Sequence, residues 1–393
     1  GLGGGSLYLQ SGALTGTIQF FGGGGLFQDQ TSVAGAYKFY GGGGTIKLSA
    51  TGSTADIANT GTDWTSLYGA GTKINLKSAN ANVIGAGNTV AFSSGANQVS
   101  LYGSSASQWD TVNGSNGVAM VSAISASIVG GGNTIYAAAG VWLSLYATNS
   151  AADVVRASSA YVILNNAQAE LIGGGDVVYA SAGSTLTVTG TTGAWNGVYA
   201  TNATINLKGA QATIVGGGNA INATQGSWTS LYLTSGHADT VTATGANIMV
   251  NSAQAYINGG GNEIYGYGGT TLTLGGTGDN WDRLHGSGLD LTFTNAQVMV
   301  FGNGNSIQAT NSNMVFFGGQ SNAILGSHEV IGLSSASASL RGDYDSIYFA
   351  GQSALTATGN HEDFHFNAQL GSSVITGFNL SDRLYLPAGD WAS

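Results

Sequence analysis

Three glycines followed by an amide or an acid return at a fixed interval along this chain. Gly130-Gly131-Gly132-Asn133 is followed by Gly173-Gly174-Gly175-Asp176, Gly216-Gly217-Gly218-Asn219, Gly259-Gly260-Gly261-Asn262 and Gly302-Asn303-Gly304-Asn305. Positions 133, 176, 219, 262 and 305 are therefore 43 residues apart, and an earlier copy, Gly85-Ala86-Gly87-Asn88, lies 45 before the first. A strict period of this size requires a repeat architecture, in which no unit buries its apolar side alone and each is completed by its neighbours.

A weaker corner falls between these copies, at Asp110, Asp153, Asn196, Asp239 and Asp282, again 43 apart. The steps from corner to corner alternate between 23 and 20 residues, which predicts one coil of 20–23 residues per Asn/Asp corner. Fourteen residues before the glycine-flanked corner stand Ile74, Ala119, Val162, Ile205, Ile248 and Leu291; twelve before it stand Leu76, Val121, Leu164, Leu207, Val250 and Phe293. Mostly polar or tolerant residues separate the two columns, the alternation of a half-buried strand. Further aliphatic columns lie five before (Val83, Ile128, Leu171, Ile214, Ile257, Val300) and two after (Val90, Ile135, Val178, Ile221, Ile264, Ile307). Each coil is expected to carry two or three short strands. The predicted fold is all-β, a right-handed parallel β-solenoid (β-helix) with a C-terminal cap. Roughly 18 coils stacked at the strand spacing give a rod on the order of 85 Å.

The glycines suit a corner with positive φ and close backbones. Asn and Asp bond nearby backbone at such turns. Stacked coils would align Asn88, Asn133, Asp176, Asn219, Asn262 and Asn305 as a structural ladder. Asn80, Gln168, Gln211, Gln254 and Gln297 form a second amide column, broken by Ser125. Nine before the corner, Ala79, Ala167, Ala210, Ala253 and Ala296 mark a tight inner corner, with Ile124 in the remaining copy. Four regions follow: irregular N-terminal coils of the same rod over 1–60, the regular array over 61–310, shorter coils over 311–350, and a cap with a tail over 351–393.

Only 7% of the residues are charged, against a usual quarter, and the formal net charge is −10. No basic patch points to nucleic acid. No apolar run is long enough for a membrane span. The absence of cysteine excludes a disulfide framework. The chain opens on Gly without a signal-peptide pattern and reads as a fragment or a processed product. Its five histidines are His237, His285, His328, His361 and His365. The densest polar groups are Asp282-Arg283-Leu284-His285 with Asp279, and His361-Glu362-Asp363. Neither has the spacing of a paired acid and base, so the chain reads as non-enzymatic. Trp109, Trp195 and Trp281 are 86 apart, as are Trp142 and Trp228. Flat rings in such columns stack on sugars or make contacts between rods.

The last segment carries Asp363, Phe364 and Phe366, then Gly371, Ile375 and Phe378, then Asp382, Leu384 and Leu386. This pattern resembles the C-terminal tail of RTX-type proteins exported by type I secretion. The resemblance implies an uncleaved C-terminal export signal, and an extracellular or cell-surface location in a Gram-negative bacterium. The array is similar to the RTX repeat Gly-Gly-x-Gly-x-Asp-x-aliphatic at Gly131, Asn133 and Ile135, whereas Ile128 and Val129 depart from it. Asn mostly replaces Asp, and an amide is a poorer ligand than a carboxylate for a hard cation. A continuous Ca²⁺ ladder is therefore not expected. Asp343 and Asp345, then Asp363 and Asp382, are the Ca²⁺ candidates, with structural turn carboxylates as the alternative. The expected function is a non-enzymatic extracellular structural protein whose partner is itself: a filament, surface layer, matrix or adhesin stalk. A carbohydrate-binding adhesin for surface polysaccharide is the alternative, and a polysaccharide lyase, epimerase or hydrolase a further one.

Overall fold

The computed structural model describes residues 4–387 apart from 11–16, 104–107, 147, 149–150, 191–192, 234–235 and 371. Gly371 of the tail pattern thus lies outside the described residues. The fold is an all-β parallel solenoid of about 21 turns. No helix occurs among the described residues.

The chain forms two compact units, Gly1–Tyr199 and Ala200–Ser393. In both, every coil contributes one strand to each of two sheets. In the first unit, Ser6–Leu9, Leu26–Asp29, Thr45–Leu48, Trp64–Tyr68 and Asn80–Ile84 pair in succession, all parallel. The intervening strands Thr17–Phe21, Ala36–Tyr40, Thr54–Ala58 and Lys73–Lys77 build the other sheet. The second unit repeats the arrangement, with Ala220–Ala223, Asp239–Ala243, Gln254–Asn258 and Thr271–Gly275 in one sheet. Trp228–Tyr232, Asn247–Asn251, Glu263–Tyr267 and Asp282–His285 lie in the other.

Successive turns are about 17 residues apart, shorter than the 20–23 expected, and carry two strands each. The 43-residue repeat is therefore not two coils. Between Asn133 and Asp176 run five strands, Thr134–Ala137, Trp142–Tyr146, Asp153–Ala157, Tyr161–Asn165 and Gln168–Ile172. Five strands at two per turn make two and a half turns, so each copy of the glycine corner opens the opposite sheet from the last. Two copies, 86 residues, restore the side, which explains the 86-residue interval of the tryptophans. The missed corners need neither a Gly triplet nor a buried Asn or Asp. One residue with positive φ turns the chain, as Ser159 (60°) and Asn166 (47°) do, and a buried alanine follows, Ala160 or Ala167.

Most strands alternate inward and outward residues. Ile74, Leu76, Val162, Leu164, Ile248 and Val250 are all buried, each worth about 1.5–3 kcal/mol of transfer from water. Over residues 17–40 rings replace these aliphatics. Phe20, Phe27, Tyr37 and Phe39 pack with centroids 4.8–6.5 Å apart, and the Tyr37 hydroxyl donates to the buried Asp29 Oδ2 at 2.5 Å. That substitution accounts for the irregular sequence there.

The glycine triplet has separate steric reasons at each place. Gly173 sits at φ 140°, and a Cβ there would run into the Ala157 carbonyl of the preceding coil. A Cβ on Gly131 would run into the Thr148 and Ala151 carbonyls of the next one.

Candidate functional site

In the 43-residue array two corners per copy deliver an Asn or Asp side chain into a buried seat between coils. In the Asn133 seat, Oδ1 accepts the Gly117 N–H at 2.9 Å and Nδ2 donates to the Gly114 carbonyl at 3.0 Å. The Asn133 N–H donates to Asp153 Oδ1 at 2.8 Å. Asn262 repeats this with the Ala246 N–H (3.0 Å), the Ala243 carbonyl (3.2 Å) and Asp282 Oδ1 (2.8 Å). Asn88, Asn219 and Asn305 make the same three bonds with their own neighbours.

The expected ladder through Asn88, Asn133, Asp176, Asn219, Asn262 and Asn305 is not continuous, because the half-turn repeat puts successive members on opposite sides. Each bonds instead to the weaker corner in the next coil. The rungs are Asn88–Asp110, Asn133–Asp153, Asp176–Asn196, Asn219–Asp239, Asn262–Asp282 and Asn305–Asn322. The column of Asn80 and the glutamines fails as a ladder for the same reason, since residues 43 apart never lie in neighbouring coils.

In the array five seats hold aspartate. Asp110, Asp153, Asp176, Asp239 and Asp282 are completely buried, and in each Oδ1 accepts a backbone N–H from the preceding coil. Burial pushes the carboxyls of Asp110, Asp153 and Asp239 up to about 6 and that of Asp282 to about 7; Asp176 is raised for the same reason. Farther on, Glu329, Asp345, Glu362 and Asp382 occupy four successive seats. Each of the last three accepts the N–H of the one before, at 2.7–3.0 Å. Burial first, and the neighbouring carboxylates after it, push Glu362 up to about 8; burial holds Asp345 at about 7.

Strand alternation separates the Ca²⁺ candidates. Asp345 and Asp382 point into the corner column with Glu362 between them, whereas Asp343 lies outside it and accepts the Asn360 N–H at 2.8 Å. Asp363 is on the outer sheet surface, paired in register with Arg383. Among the described residues no group of three or more His, Asp or Glu is placed to hold a metal ion.

The same alternation divides the two polar runs. Asp282 turns inward and Asp279 stays exposed, while Arg283 and His285 point out and meet Glu263 of the preceding coil. His285 Nε2 is 2.5 Å and Arg283 3.6 Å from that carboxylate. Glu263 was invisible as their partner without the register. Glu362 is buried, whereas His361 stacks on Tyr344 at 4.6 Å. Glu329 was missed as well; it stands 16 residues before Asp345, which stands 17 before Glu362, and those steps are the turn length itself.

Trp109 and Trp195 immediately precede the seats of Asp110 and Asn196, and Trp281 that of Asp282. Trp142 and Trp228 each open a strand. All are half-buried except Trp195, at 39% exposure. The Trp142 ring stacks on Tyr161 at 4.4 Å, and elsewhere Tyr265, His285, Phe301 and Phe317 stack in turn at 4.8–5.1 Å. Rings stacked coil on coil cover one another's faces and turn their edges outward, whereas a sugar platform needs an open face.

The coil over 374–386 is different. Val374–Thr376 and Arg383–Tyr385 continue the parallel register, each pairing with one strand among the described residues. Leu384 occupies the inward column below Phe364, yet it is 45% exposed where Phe364 is 0%. Val374, Phe378, Leu380 and Leu386 are exposed around it. No family model matches this sequence, and no curated protein or solved structure is significantly similar to it.

Proposed function

We propose that this chain is a non-enzymatic structural solenoid that assembles with copies of itself, outside the cell or at its surface. The observation that carries the reading is the coil over 374–386. It presents a cluster of exposed apolar side chains, Val374, Phe378, Leu380, Leu384 and Leu386, one of them in a core column. An apolar patch of this kind marks an interaction surface. Low charge removes much of the repulsion between rods.

The test is light scattering and negative-stain microscopy of the full chain against a Leu380→Asp/Leu384→Asp variant. Concentration-dependent oligomers or filaments are expected, reduced to monomers by the double substitution with unchanged circular dichroism. Monomers at every concentration would overturn the reading. The 39% exposure of Trp195 favours a second reading, a carbohydrate adhesin. That reading predicts retention on polysaccharide beads that Trp195→Ala abolishes.

A further inference from the structure

The asparagine and aspartate seats are built alike but bonded differently. In both, one oxygen accepts the N–H of the preceding coil. The other head of the amide then donates to a carbonyl: Gly69 for Asn88, Gly114 for Asn133, Ala200 for Asn219, Ala243 for Asn262 and Gly286 for Asn305. The accepting residue always stands three before the residue whose N–H the amide accepts. At Asp110, Asp153, Asp176, Asp239 and Asp282 the second oxygen, Oδ2, is buried without any partner. An ionised oxygen in the position of an amide N–H would face a carbonyl lone pair with nothing to offset its desolvation.

We propose that these five aspartates are neutral carboxylic acids in the folded solenoid, with Oδ2–H donating to the carbonyl that an amide would reach. By the spacing rule the acceptors are the carbonyls of Gly85, Gly130, Ala157, Gly216 and Gly259 respectively. Each acid then satisfies the same two backbone groups as asparagine, and the array carries five fewer negative charges than its formula implies. No charged side chain acts on any of the five; backbone and the amides of Asn88, Asn133, Asn219 and Asn262 surround them. The raised carboxyl values agree with this state. Because the folded group holds its proton more tightly than the unfolded one, the stabilisation is complete below the ordinary carboxyl value near 4 and is lost as pH rises through about 6 to 7. The solenoid is thus a structure fastened by acid. The inference is independent of self-assembly.

The experiment is infrared spectroscopy of the whole chain with ¹³C-carboxyl aspartate, at about pH 5.5, where an ordinary aspartate is only a few per cent protonated. A protonated-acid carbonyl band is expected in the native protein. It should disappear largely from the variant with Asp110→Asn, Asp153→Asn, Asp176→Asn, Asp239→Asn and Asp282→Asn. That variant should also lose less stability between about pH 5 and pH 7 than the native chain does. If the fivefold variant does not fold, Asp153→Asn and Asp282→Asn alone should each remove about a fifth of the band. Absence of the band, or a band indifferent to these substitutions, overturns the proposal.

Discussion

Replacing Asn262 by alanine isolates what one seat contributes. The side chain is buried and serves two backbone groups of the coil before it, the Ala246 N–H and the Ala243 carbonyl. Alanine reaches neither. Each orphaned buried group costs about 1–3 kcal/mol, so the substitution should cost about 2–6 kcal/mol, mostly in desolvation and not in lost packing. The Asn262 N–H to Asp282 bond belongs to the backbone and survives. A stack of coils need not unfold in one step. Hydrogen exchange read amide by amide is therefore the assay, with guanidinium unfolding beside it. Protection should fall most at Ala246 and in the coils on either side, by a factor of at least about 30 if the cost is about 2 kcal/mol. Asn262→Asp, tested near pH 5, should recover most of the loss, since a neutral acid has the same acceptor and donor. A loss below about 0.5 kcal/mol, the level of an ordinary surface change, would refute the argument that the seats are the polar fastening of the coils.

Gly173→Ala should destabilise by about 1–3 kcal/mol from its φ of 140° alone, with the collision at the Ala157 carbonyl adding to it; thermal melting checks this. Tyr37→Phe should cost about 1.5–3 kcal/mol in chemical denaturation by removing the hydroxyl that satisfies the buried Asp29. Leu274→Ala, wholly buried in the second unit, should cost about 2–5 kcal/mol in the same assay. Glu362, raised to about 8, and Asp345, raised to about 7, hold their protons more tightly folded than unfolded, so the coils over 329–385 should lose exchange protection as pH rises through 7 to 8, before the asparagine-seated coils. A uniform loss along the chain would contradict that order.

The parallel solenoid was legible because its inward columns repeat and its corners are marked. Val162 with Leu164, or Ile248 with Val250, announce a strand without any structure. The turn length was not legible, because only two of the five corners in the copy over 134–176 seat an Asn or Asp, Asp153 and Asp176. The tight turns at Ser159 and Asn166 are made by one positive-φ residue and an alanine, a pattern too common to register as punctuation. Everything that depended on turn length failed with it: the ladder through Asn88 and Asn133, and the partnership of Glu263 with His285 and Arg283. The inward position of Asp282 and Glu362 was already implied by strand alternation, since each lies two residues from a buried aliphatic or aromatic, Leu284 and Phe364.

A repeat of two and a half turns has a further consequence within each unit. Neighbouring copies are related by a twofold screw operation, half a rotation with an advance of roughly 12 Å at the strand spacing. The two sheets thus share one backbone repeat, offset along the axis, but not one surface: Trp142 and Trp228 open strands of one sheet, where Thr185 and Thr271 open those of the other. Gain or loss of a single 43-residue copy would exchange the faces beyond it, while a change of 86 would leave them in place. A lattice grown laterally on such a unit would meet a ring-bearing face on one side and a threonine-bearing face on the other, so two kinds of contact would be needed to propagate it.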